Sequence, residues 1–422
     1  GDVYKRQIQF SVWRVNSMLN YITKKLENGV KCYIVPKKGY AEKKAMIAFN
    51  YGSCNTEFIY NGKTIKQTKG IAHFLEHKMF DGSADIFSEF EKLGASANAF
   101  TNFTTTAYHF NCTENFEKAF ELLMKMVSSL DTTEESVERE KKIIGQEIKM
   151  YNDDIGWQVY FNGLKCAYSD NNVRYSVAGT LESIEDISCE DLYTAYKAFY
   201  TADNCCIIVV GDIDENSVLK LANENLHLGE KCAEKITKQE DEINNDVEKI
   251  EKNIPKNVFN IDFREDIKTD DIAYRIAINE VMLEILCGKS SHLYNKLNHK
   301  GLISSELTAD YLCGNDYGLR IIGGESNNIE EILSEISQEV ERYVTFGVSD
   351  KNLKRVVKAV KNKNLFGNES LENICSVFAD CFTKGIEVLD IYAKYDIIKN
   401  NDIREELKTF SRNNRVLSVV GG

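Results

Sequence analysis

The spacing of apolar positions changes period several times along the chain, and each change marks an element. Val30–Pro36 and Lys44–Tyr51 alternate with a period of two, the second with Ala45, Ile47 and Phe49 on one side, and both predict strands. Thr104–Asn111 repeats the alternation through Thr106, Tyr108 and Phe110, while Cys205–Gly211 is an unbroken apolar run, as expected of a buried strand. Helical spacing takes over in Gly70–Phe80, Ile86–Leu93, Glu114–Val127, Glu134–Tyr151, Cys189–Phe199 and Asp214–Asn223. Gly52–Lys69 is polar and reads as a loop; Gly94–Asn102 is rich in small residues and Asn.

After Gly229–Asn253, which is polar and charge-rich, the pattern begins again. Val258–Arg264 predicts a strand, and Asp271–Leu286 and Ser290–His299 predict helices. Leu307–Leu312 and Gly318–Ile322 predict a hairpin, and helices follow at Ile329–Tyr343, Ser349–Leu365, Leu371–Lys384, Val388–Ile398 and Asp402–Thr409. Arg415–Val420 is a final strand. Asn204–Gly211 and Asn414–Gly421 echo each other 210 positions apart, each an Asn, an apolar run and a Gly, with Phe199 and Phe410 just before. The expectation is a duplicated α/β architecture: an N-terminal domain over 18–228, a linker over 229–254 and a homologous domain over 255–422. Residues 1–17 have no signal-peptide apolar core and are expected to be a non-native or disordered leader, with Met18 as the start.

Composition narrows the function classes. At 422 residues the chain exceeds the size at which single cores usually divide. Its 43% hydrophobic and 28% charged content is that of a soluble globular protein, and no apolar run reaches membrane-span length. A net charge of −13 argues against nucleic-acid binding, which needs clustered Lys and Arg. The twelve cysteines form no CxxC pair and no disulfide framework, so reduced thiols in a cytoplasmic location are expected.

The chemistry concentrates in His73-Phe-Leu-Glu76-His77. On a helix, positions i, i+3 and i+4 share a face, so two imidazoles and a carboxylate project into one space. Two neutral imidazoles and one further ligand hold Zn2+ with a position left for water, and a carboxylate beside that water can take its proton. The order His-x-x-Glu-His is a known zinc-peptidase signature. Glu140 and Glu147 lie seven residues apart, nearly two turns, on one side of the second long helix.

Gly70–Gly82, Gly94-Ala-Ser-Ala-Asn98-Ala-Phe-Thr101 and Glu138–Met150 together resemble the insulinase/pitrilysin (M16) family of inverted-motif zinc peptidases. The likeness is to half-length bacterial members similar to processing-peptidase subunits, and it spans residues 19–225 and, more weakly, 255–422. It implies an α+β fold of two homologous two-layer α/β domains, each a mainly antiparallel sheet flanked by helices. It implies His73, His77 and Glu147 as zinc ligands, Glu76 as general base and proton shuttle, and Glu140 as a supporting acid that orients a ligand His. Asn98 and Ala99 correspond to residues beside the substrate backbone; the other reading of Asn98 is a turn-stabilising residue. His109 is expected to be structural. The implied substrate is a small unfolded peptide or a peptide precursor, taken as an extended strand on a sheet edge.

One departure stands out. The family's second half usually supplies Arg-x6-Tyr to grip substrate and oxyanion; here Asn298 and Ser304 occupy those places. A heterodimer is therefore expected, with a homologous partner that carries the Arg/Tyr pair and lacks the zinc motif, a homodimer being the alternative. A non-catalytic scaffold subunit is the alternative function.

Overall fold

The computed structural model describes residues 20–81, 86–236, 241–367 and 369–422. The expected 1–17 leader and Gly82, read as closing the motif helix, lie outside the described residues. In the first half, strands β1 (Ile22–Lys25), β2 (Lys31–Pro36), β3 (Lys43–Phe49), β4 (Glu57–Tyr60), β5 (Lys63–Lys66), β6 (Ala95–Thr101), β7 (Thr106–Cys112) and β8 (Cys205–Gly211) are followed by the short β9 (Glu234–Lys235). One sheet runs β1-β2-β8-β3-β7-β6, and β5-β4-β9 form a small separate sheet. Its helices are α1 (Ile71–Phe80), α2 (Ile86–Lys92), α3 (Phe116–Val127), α4 (Glu134–Asp153), α5 (Ile155–Ala167), α6 (Leu181–Glu185), α7 (Cys189–Phe199) and α8 (Glu215–Asn225).

The second half has strands β10 (Val247–Ile250), β11 (Val258–Arg264), β12 (Thr308–Cys313), β13 (Gly318–Glu325) and β14 (Arg415–Val420), in the order β10-β14-β11-β13-β12. Around them lie α9 (Ile272–Cys287), α10 (His292–His299), α11 (Ile329–Phe346), α12 (Asp350–Gly367), α13 (Leu371–Thr383), α14 (Val388–Tyr395) and α15 (Asn400–Leu407). The two sheets share a topology. β2-β8-β3-β7-β6 is parallel at its first step and antiparallel at the other three. β10-β14-β11-β13-β12 repeats that pattern step for step. The fold is α+β, mainly antiparallel sheets flanked by helices, as expected.

The stretch read as linker is not bare linker. Val247–Ile250 pairs in parallel with β14, in the place β2 holds beside β8, and Glu234–Lys235 pairs with β4. Its charged side chains hide the strand from pattern reading, because both segments lie at sheet edges and alternate only exposed and half-buried positions. Gly52–Lys69 likewise contains the β4–β5 hairpin, and Gly94–Asn102 is the edge strand β6. Helix α5 went unread because two glycines and scattered polar residues blur its period.

The alternation in β8 sorts its side chains into two cores. Cys205, Ile207 and Val209 pack with Ile47, Phe49, Phe74 and Phe120 of the first half. Cys206, Ile208 and Val210 face the other way and join Cys375, Phe378 and Ala379 of α13. The reverse exchange occurs on the second sheet, where Leu164 and Ala167 of α5 pack on Leu319, Ile321 and Val416. Each half therefore lends one helix to the other's sheet. Gly163 permits the close approach of α5, since a Cβ there would come within 2.1 Å of Asp262 Oδ2.

Candidate functional site

Helix α1 is almost wholly buried, and its apolar residues Ile71, Phe74, Leu75 and Met79 fix which way His73, Glu76 and His77 point. It starts at Gly70, whose φ of +90° and proximity to the Ala178 carbonyl, 2.5 Å from a would-be Cβ, exclude any other residue without strain. Its far end is tied to α4: the buried Lys78 ammonium donates to Asp81 at the C-cap and to Ser136 in the first turn of α4.

Helix α4 carries Glu147 to the two imidazoles. His73 Nε2 lies 3.6 Å from Glu147 Oε1, and His77 Nε2 lies 3.5 Å from Glu147 Oε2. These separations exceed an ordinary N–H···O hydrogen bond. They match the roughly 3.4 Å that two ligands of one tetrahedral ion keep when each bond is about 2.1 Å. One ligand atom from each residue falls within 4.8 Å of the others, the only such His, Cys, Asp or Glu group among the described residues. The donor set and its spacing fit a zinc ion.

Neighbouring groups set the state of each member. His77 Nδ1 contacts Glu140 Oε1 at 2.9 Å, an arrangement that fixes the Nδ1–H tautomer and leaves Nε2 free to ligate. Burial lowers the pKa of His77, but its bond to Glu140 and the nearby Glu147 carboxylate outweigh this and raise it to about 10, so a metal bound at Nε2 would displace a proton there. The His73 and His77 rings hold the Glu147 carboxyl well below the usual range; burial works against them and the Tyr151 hydroxyl adds to the lowering. Glu76 is different. Burial pushes its carboxyl up, partly countered by His73, by the Thr101 hydroxyl and by His77. Thr101 Oγ1, on β6, donates to Glu76 Oε2 at 2.6 Å.

These groups open into a cavity of about 470 Å³, bounded by α1, the edge strand β6, α4 and α5. Phe100, Phe103, Tyr151, Trp157, Tyr160 and Phe161 form aromatic walls, and among the described residues no Arg or Lys lines it. Residues 63–181 match the insulinase family profile (peptidase family M16), and residues 186–360 match the peptidase M16 inactive domain. YmfH, an uncharacterised zinc protease of Bacillus subtilis, is 36% identical over 326 residues, covering 74% of this chain and 76% of that protein. The chain belongs to peptidase family M16. The M16 chain is also similar to the beta subunit of mitochondrial processing peptidase from Blastocladiella emersonii, 27% identical over 166 residues, 38% of this chain and 36% of that one. The crystal structure of an M16-like peptidase from Alicyclobacillus acidocaldarius superposes with a TM-score of 0.89 at 26% identity, over 95% of this chain and 98% of that one.

Within the M16 fold, His73, Glu76, His77 and Glu147 come together as the sequence suggests, and Glu140 stands behind His77, outside the cavity lining. Asn98 and Ala99 line the cavity from β6, but Asn98 Oδ1 accepts from the Ala99 amide, so that side chain supports its own strand. His109 lies apart, buried against Lys44. Asn298 and Ser304 are exposed and absent from the cavity lining; Ser304 accepts from Lys256. Sequence reading missed Thr101, Lys78, Tyr151 and the aromatic wall. Tyr151 alone left a signal, lying four residues beyond Glu147 on the same helix face.

Proposed function

We propose that this chain is a zinc-dependent endopeptidase of small unfolded peptides or of a peptide precursor. The observation that carries this reading is the convergence of His73, His77 and Glu147 with Glu76 beside them, against an open sheet edge. In it, His73, His77 and Glu147 hold the ion, which when bound supplies Lewis-acid activation of water and of the scissile carbonyl. Glu76 takes the water's proton and returns it to the leaving nitrogen. Burial suits that carboxylate to the task, because it lifts the pKa towards the working pH. Thr101 keeps one oxygen of Glu76 oriented while the other handles the proton. The outer edge of β6 receives the substrate backbone as an added strand, and the aromatic walls accept apolar side chains beside the scissile bond.

In this reading residues 18–228 form the metal-binding peptidase domain and 255–422 a homologous domain without its own metal site. That no Arg or Lys among the described residues lines the cavity supports a substrate clamp supplied from outside the chain. A homologous partner with the Arg/Tyr pair and no zinc motif is the occupant that fits, and the cytoplasm is the compartment that suits twelve free thiols. Metal analysis with a Glu76→Gln variant tests the chemistry: zinc retained with cleavage abolished is expected, and cleavage that survives overturns it. The partner is tested by rate and native mass. Full-rate cleavage by the chain alone as a homodimer would refute the split site.

A further inference from the structure

We infer that Tyr151, clamped by Trp157, is the positioning residue that aims Glu147 at its two histidines; this rests on the zinc-site reading above. Glu147 is half-buried, and a glutamate carboxylate on its flexible side chain has rotamer freedom that a metal site must remove. Its two oxygens face different imidazoles, so a rotation of the carboxyl plane would lose both approaches together. The Tyr151 hydroxyl, one turn further along α4, donates to Oε1, the oxygen that faces His73. That bond selects one orientation of the plane.

Tyr151 is itself held from another helix. Its ring stacks on Trp157 with centroids 4.3 Å apart and planes 11° from parallel. Asp154 makes this stack possible: it ends α4, caps α5 and accepts the Trp157 amide on Oδ1, so the chain turns back within one residue. Trp157 packs in turn on Phe161, and Phe161 on Phe103, which meets Tyr317 of the β12–β13 turn. An unbroken line of rings thus runs from the third ligand to the second half. Helix α5, which carries Trp157 and Phe161, is the helix lent to the second sheet. The second half therefore has a task at the metal although it contributes no ligand.

The test compares full-length wild type with Tyr151→Phe, which keeps the stack and loses the hydroxyl, Trp157→Leu, which keeps the hydroxyl and loses the stack, and the double variant. Zinc affinity is measured by competition with a chromogenic chelator, and the thermal melt of the metal-free protein reports on folding. Each single variant is expected to bind zinc about 10–100-fold more weakly. The double variant should be no weaker than the worse single variant, because both act through one contact. The Tyr151→Phe melt should stay within a degree or two of wild type. Unchanged affinity in Tyr151→Phe, or independent losses that multiply in the double variant, would overturn the inference. Failure of the wild type to bind zinc would instead sink the zinc-site reading itself.

Discussion

Two carboxylates that line one cavity are given opposite characters by their surroundings. Glu147 meets two imidazoles and a phenol and stays an anion far below the usual carboxylate range, as the proposed ligand role requires. Glu76 sits deeper, with burial favouring its protonated form, as the proposed proton-carrying role requires. Thr101→Val removes the donor from Glu76 without touching a ligand. A charge-assisted bond of about 1.5–3 kcal/mol is lost, so kcat/KM should fall about 10–100-fold with zinc content unchanged; steady-state kinetics beside metal analysis checks both halves of that statement. Glu140→Gln keeps an acceptor for His77 but loses the charge, and zinc affinity should drop by about tenfold or more in chelator competition. His73, Glu76 and His77 were legible in sequence because helical spacing places them on one face, whereas Glu147 was reached only through the resemblance to the family. Thr101 was not legible, since only the pairing of β6 with β7 fixes where that strand edge lies against α1.

At the scale of elements, the position of α1 depends on its first residue. Gly70→Ala forces a side chain into the left-handed region and against the Ala178 carbonyl, and should destabilise the protein by about 2 kcal/mol or more. Gly145→Ala in α4 is the control. The nearest atom to its Cβ is Leu181 Cδ2 at 3.6 Å, an ordinary contact, so helix propensity should make the change neutral or stabilising by up to about 1 kcal/mol. Urea unfolding of both variants separates the cases; equal destabilisation would show that the start of α1 is not the constrained point. The elements that pattern reading found are those with one or two apolar faces, such as β3, β8, α3 and α4. Of the ones it missed, β5, β9 and β10 are edge strands whose side chains stay exposed or half-buried, and β4 between β5 and β9 buries only Phe58. Their existence is decided by their partners, β14 for β10 and β4 for β5 and β9, rather than by their own residues.

For the whole molecule, the faint repeat between Asn204–Gly211 and Asn414–Gly421 did foretell two sheets of one topology, because β8 and β14 are the central strands with the least tolerance for polar residues. The crosswise exchange of α5 and α13 left no such trace, since an apolar helix face looks the same whichever sheet it covers. That clasp contains one titratable group with a readable consequence. His109 of β7 is buried against Lys44, whose ammonium donates to Nδ1 at 2.8 Å, while Glu372 of α13 pairs with Lys44 and lies 3.7 Å from His109 Nε2. Burial first, and Lys44 second, push the imidazole down to about 4, with Glu372 working the other way. Protonation would cost the lysine its acceptor and set two cations together under α13. Above pH 6.5 the ring is neutral folded or unfolded and costs nothing. As pH falls from about 6.5 to about 4 the unfolded chain takes up a proton that the folded one refuses, so stability is lost across that window. His109→Gln keeps an acceptor for Lys44 and does not titrate. Its urea unfolding free energy should therefore fall less between pH 7 and pH 4.5 than that of the wild type, by on the order of 2 kcal/mol. Equal losses in the two proteins would mean that His109 is already charged in the clasp, with Glu372 rather than Lys44 governing it.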